Sequence, residues 1–188
     1  MRAFVAIELS ENIRSALTQA QSHLKHSGID AKWVAKDNIH LTLKFLGDMA
    51  DERLAEVKTS IDRVASSFKP FELTIKGMGA FPETGFPEII WAGIGKGSKE
   101  SADIAKKVNI ELSKLGFKPE TRLFTAHVTI GRVRATGNKK AYKNKAPSAN
   151  KSDFSVDAPQ IVTFMTLFRS KLTSDGPVYT KIHEAGLG

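Results

Sequence analysis

Cysteine is absent from all 188 residues, which excludes a disulfide framework, a thiolate zinc site and a cysteine nucleophile. Stability must come from packing, and the length is sufficient for a core within a single domain over residues 1–188. No apolar run approaches the roughly 18 residues that a membrane helix needs, so no membrane association is expected. The opening stretch Met1-Arg2-Ala3-Phe4-Val5-Ala6-Ile7-Glu8 is too short and too early cut by Glu8 for a signal-peptide core, and a cytoplasmic location is expected. No P-loop, HExxH or GxSxG pattern occurs, which leaves those routes to phosphate, zinc and serine chemistry without support.

Acidic residues are few: 20 Asp and Glu stand against 28 Lys and Arg, for a net charge of +8, a balance that favours polyanionic partners. Between Arg132 and Lys151 there is no acid at all, while Arg134, Lys139, Lys140, Lys143 and Lys145 add to the charge. Gly137 and Pro147 share the stretch, which reads as a loop. Such a loop can serve solubility alone, or it can bind nucleic acid.

What the chain does contain is one short pattern in two distant places: His40-Leu41-Thr42-Leu43 and His127-Val128-Thr129-Ile130. Along a strand, residues i and i+2 share a face. Each copy therefore presents an imidazole and a hydroxyl on one side and two apolar residues on the other. A strand histidine is often only a half-buried structural residue, and threonine is a good strand former; the repetition of the whole pattern argues for more. Lys44 shares the His40 face by the same parity and is a secondary candidate. Arg132, five residues after His127, falls on the wrong face of a regular strand unless Gly131 permits a bulge or the strand's end.

Patterning predicts strands over residues 2–9, 39–46, 71–76, 88–94, 126–133, 154–156, 160–171 and 178–182, with a short extended piece at 32–34. The first strand has one well-buried face. Helices are predicted over about 10–25, capped by Ser10, over 51–67 and over 98–115, and a turn at 174–177. The order gives an α+β fold with antiparallel sheets and helices outside. Two strand-helix-strand units related by a pseudo-twofold axis would set equivalent strands side by side and His40 opposite His127.

Displacement at phosphorus places the attacking and leaving oxygens in line on opposite sides. Two facing histidines supply a base on one side and an acid on the other, and imidazole, with an ordinary pKa near ~6.5, suits both roles near neutrality. Thr42 and Thr129 can hydrogen-bond the non-bridging oxygens. His23 and His26, three apart on a helix, and His183 lack further ligands in the pattern and are not read as a metal site.

These residues resemble the two-histidine phosphoesterases, and within them the LigT-like RNA 2′,3′-cyclic phosphodiesterases, also called 2′-5′ RNA ligases. The resemblance spans nearly the whole chain, through residues 2–8, Trp33, residues 38–47, Phe81-Pro82, Trp91-Ala92-Gly93, residues 127–132, and Ser170-Lys171-Leu172 with Gly176-Pro177-Val178-Tyr179. Ala126 stands where many relatives carry proline. The resemblance implies a bilobal duplicated α+β fold with two antiparallel sheets lining a central cleft. It implies opening of a terminal 2′,3′-cyclic phosphate on RNA to a 2′-phosphate, with no metal or cofactor and with possible reverse ligation. By motif position, His127 resembles the general base, His40 the general acid, and Thr42, Thr129 and Arg132 the phosphate-binding residues. A monomer is the default expectation. The competing class is a non-catalytic RNA-binding protein that uses the basic segment 132–151.

Overall fold

The computed structural model describes residues 1–82, 86–134, 153–174 and 176–188. The bulk of the basic segment, from 135 to 151, therefore lies outside the described residues, as does Asp175 in the turn at 174–177.

The chain opens with β1 (Arg2–Glu8), whose apolar alternation buries Ala3, Val5 and Ile7 in the main core. Ser10 then caps α1 (Glu11–His26), its hydroxyl accepting from the Ile13 amide at 3.4 Å. The helix buries Ile13, Leu17 and Ala20 on one stripe. Gln21 on that stripe donates to the Val34 and Ile130 carbonyls, both at 2.8 Å. After β2 (Ala31–Trp33) comes β3 (His40–Asp48), which carries the first motif. It runs one residue past Gly47, which adopts φ +74° and stays in register with Ala3, so Gly47 does not end the strand. A 3-10 turn at Asp51–Arg53 leads into α2 (Leu54–Ala65).

The chain continues through β4 (Phe71–Phe81), β5 (Ile89–Ile94) and α3 (Ser98–Lys114) to β6 (His127–Val133), which carries the second motif. β7 (Ser155–Val162), β8 (Phe164–Thr173) and β9 (Gly176–Gly186) complete the described strands. The single strand expected over 160–171 is two strands. The chain leaves one sheet at Val162 and enters the other at Phe164, because the apolar run continues across Thr163 while its hydrogen-bonding partners change.

Two antiparallel sheets result, with strand orders β3-β1-β8-β9 and β2-β6-β5-β4-β7. Helix α1 packs against β6 and β7 of the second sheet, while α2 packs on β8 and β9 and α3 on β3. The α+β class with antiparallel sheets is as expected, but each sheet takes strands from both halves of the chain. β3 and β6 are consequently not paired neighbours. They belong to different sheets, with Cα atoms of the two strands coming within 8 Å of each other.

Leu167 on β8 is fully buried and in register with Val5. Leu167→Ala is expected to cost about 2–5 kcal/mol of unfolding free energy, read as a lower midpoint in urea denaturation.

Candidate active site

Both motif strands break the two-residue alternation at the same place. On β3 the register with β1 passes from Ala6↔Thr42 to Val5↔Lys44, leaving Leu43 as the extra residue. On β6 the register with β5 passes from Trp91↔Thr129 to Ile90↔Gly131, leaving Ile130 extra. Each bulge thus falls on the third residue after the histidine and exchanges the faces of the residues that follow, on β3 as far as a second shift at Leu46.

The exchange settles three side chains. Arg132 returns to the side of His127 and Thr129, as the bulge anticipated near Gly131 requires. Lys44 moves the other way. It is only 5% exposed, and its ammonium donates to Asn109 Oδ1 at 2.7 Å and to the Lys118 carbonyl at 2.9 Å. The expectation that Lys44 shares a face with His40 and Thr42 is therefore wrong, because parity was counted through an unbroken strand. Burial pushes the Lys44 pKa down, with Glu120 opposing that shift. Phe45 takes the place vacated by Lys44: it is in register with Phe4, 6.0 Å away between ring centroids, and is 66% exposed.

The two imidazoles are held by the same device. His40 Nδ1 lies 2.8 Å from the Asn38 carbonyl and His127 Nδ1 lies 2.6 Å from the Thr125 carbonyl, in each case two residues upstream. A carbonyl only accepts, so Nδ1 carries the hydrogen and Nε2 is the nitrogen left for chemistry. His40 Nε2 is 2.9 Å from Thr42 Oγ1, which joins the imidazole and hydroxyl of the first motif directly.

Aromatic rings back each histidine. His40 stacks on Phe4 at 4.8 Å and meets Tyr179 edge-on at 5.4 Å, while Phe168 stacks behind Phe4 at 5.2 Å. Phe4, Ala6 and Phe168 form a small apolar cluster of their own, with Tyr179 against it. Both faces of β1 are thus buried, not one as its alternation implied. His127 meets Phe81 edge-on at 5.2 Å and Trp91 at 6.4 Å. Trp91 lies over Gly79, where a Cβ would come within 2.3 Å of the indole, so glycine there makes room for the ring.

Burial holds the His40 pKa below its ordinary value of 6.5, opposed by the Asn38 carbonyl and the Glu8 carboxylate. Glu8 is in register with His40 and is itself engaged by Thr166 at 2.9 Å and Lys181 at 2.8 Å. Burial raises the Tyr179 phenol pKa, and the positive charges of Arg132 on β6 and Arg2 on β1 oppose the rise. Phe45, Phe4, Tyr179 and Arg2 were not singled out from the sequence as site residues; only the strand registers bring them here. Among the described residues no group of three or more His, Asp or Glu side chains is placed to hold a metal ion, and no helix is long and apolar enough to cross a membrane.

A family model described as LigT like Phosphoesterase matches residues 7–91 and 95–179, one stretch holding His40 and the other His127. The chain belongs to the LigT-like phosphoesterases. An RNA 2′,3′-cyclic phosphodiesterase of Methanocaldococcus jannaschii is 37% identical over 185 residues, covering 98% of this chain and 99% of that protein. One from Aquifex aeolicus is 31% identical over 189 residues, covering 100% and 98%. Among solved structures, TT0787 of Thermus thermophilus superposes with a TM-score of 0.84 at 27% identity, covering 100% of this chain and 98% of that one. Escherichia coli LigT complexed with 3′-AMP superposes with a TM-score of 0.77 at 24% identity, covering 99% and 97%. This LigT-like chain therefore shares its fold with them over its full length.

Because the His40 pKa is lower folded than unfolded, the unfolded chain binds more protons in the interval between the two values. The stability linked to His40 is complete above about pH 6.5 and is lost as pH falls through the folded value. Wild-type protein is therefore expected to lose more stability than His40→Gln on acidification from about pH 7 to 5, compared by urea denaturation at each pH.

Proposed function

We propose that this protein hydrolyses the terminal 2′,3′-cyclic phosphate of RNA to a 2′-phosphate, with His40 and His127 as the acid-base pair. The observation that supports the reading is the matched setting of the two motif histidines on β3 and β6, strands whose Cα atoms come within 8 Å: each Nδ1 is held by a carbonyl two residues upstream, which leaves Nε2 for chemistry. The names of full-length relatives supply the substrate class.

His127 Nε2 takes a proton from water as the water oxygen bonds to phosphorus. The bond from phosphorus to the ribose 3′ oxygen breaks on the opposite side, and His40 Nε2 delivers a proton to that oxygen. Burial disfavours the charged form of His40, and the anionic phosphate of bound substrate offsets that cost for the proton it delivers. Thr42 and Thr129 donate to the non-bridging oxygens, and Arg132 neutralises their charge. Phe45, flat, exposed and on the same face, offers the base a stacking surface. With the 5′-hydroxyl of a second RNA in place of water, the same displacement forms a 2′-5′ bond as the 3′ oxygen departs. Water in excess makes hydrolysis the dominant outcome. All of these residues come from one chain, and we read the working unit as a monomer without metal.

His40→Ala and His127→Ala are each expected to lower turnover of an RNA ending in a 2′,3′-cyclic phosphate by about 10²- to 10⁴-fold. Wild-type turnover is expected to follow a bell-shaped pH profile and to survive a chelator. Full activity in both variants would sink the assignment. Normal RNA binding with no wild-type turnover would favour the binding-protein reading instead.

A further inference from the structure

The antiparallel pairing of β2 with β6 sets Lys32 directly opposite Arg132. Directly opposed residues project to the same face with Cβ atoms about 4.5–5.5 Å apart, and like charges so placed are destabilising. The face is the open one. A Cβ on the neighbouring Gly131 would meet the Trp33 ring at 2.9 Å and Ala31 at 3.6 Å, so those residues point the other way. Both Lys32 and Arg132 are exposed, and neither forms an ion pair with an acid among the described residues. The adjacent cation Arg134 is differently placed: it is paired with Asp30 at 3.4 Å.

The two unpaired charges repel each other beside the histidine strand, and an anion between or across them removes that cost. Arg132 already serves the reacting phosphate in the reading above. Lys32 lies one strand further out, on the edge strand of its sheet. It borders a shallow concavity of about 340 Å³ whose other polar lining is Lys25 and the Asp30–Arg134 pair. A ligand extending past the reacting phosphate along this face meets a second positive charge at Lys32.

We propose that Lys32 forms a second phosphate subsite, which binds the phosphodiester one nucleotide before the cyclic end of an oligoribonucleotide. The inference rests on the proposed hydrolysis of cyclic phosphate ends and adds to it a reason for preferring RNA ends over cyclic mononucleotides. A cyclic mononucleotide has no second phosphate to offer.

The test compares three substrates: uridine 2′,3′-cyclic phosphate, the dinucleotide that adds one 5′ adenosine through an ordinary phosphodiester, and the same dinucleotide with a neutral methylphosphonate link. For wild-type protein, kcat/KM is expected to be highest on the charged dinucleotide. In Lys32→Ala, the ratio of charged dinucleotide to mononucleotide is expected to fall about tenfold, as for loss of one charge-assisted hydrogen bond, and discrimination against the methylphosphonate to disappear. Lys32→Arg is expected to restore the ratio. The salt dependence of kcat/KM on the charged dinucleotide should flatten in Lys32→Ala by about 0.7 in logarithmic slope. Because each ratio is taken on one preparation, a loss of folded protein does not move it. An unchanged ratio in Lys32→Ala, or an equal fall on all three substrates, overturns the subsite. Absence of wild-type turnover on every substrate would instead overturn the underlying hydrolase reading.

Discussion

The site depends on a bulge placed on the third residue after each motif histidine. A regular strand would carry the histidine, the threonine and the fourth residue on, Lys44 or Gly131, on one face. The extra residue at Leu43 and at Ile130 substitutes the fifth, bringing Phe45 onto the first face and Arg132 onto the second. It also turns Lys44 inward, where its ammonium is held by Asn109 and Lys118. One backbone irregularity, used twice, thus decides which side chains share the face of the histidine and threonine and which become structural.

The rest of the site is arranged around fixed imidazoles. A carbonyl two residues upstream of each histidine sets the tautomer, and aromatic rings behind each histidine set its plane. The settings are alike in hydrogen bonding but not in surroundings. His40 rests on the apolar cluster of Phe4, Ala6 and Phe168 with Glu8 beside it, whereas Phe81 and Trp91 flank His127. Two chemically identical side chains can take opposite parts in proton transfer when their environments differ in this way.

Much of this was legible in the sequence, for identifiable reasons. The helices announced themselves through a capping serine, an apolar stripe and a terminal glycine, and the His-x-Thr pairs through the two-residue period of strands. What the period could not give was its own interruption. Arg132 was placed correctly only by allowing for a bulge near Gly131, and Lys44 was misplaced because nothing in Leu43 marks the extra residue. The run from Gln160 to Lys171 read as one strand because hydropathy records burial and not hydrogen-bonding partner. The change of sheet at Thr163 is decided by pairing with Phe71 on one side and with β1 on the other, both far away in sequence. The aromatic setting of His40 is likewise assembled from β1, β8 and β9, which no local pattern connects.

That change of sheet has a mechanical corollary. A single residue joins the end strand of one sheet to an interior strand of the other, and its carbonyl accepts from the Leu187 amide at 2.8 Å, tying the C-terminal tail to the junction. The link between the two sheets therefore passes through one peptide unit that also fastens the C-terminal tail, and a substitution at Thr163 acts on both sheets and on the terminus at once.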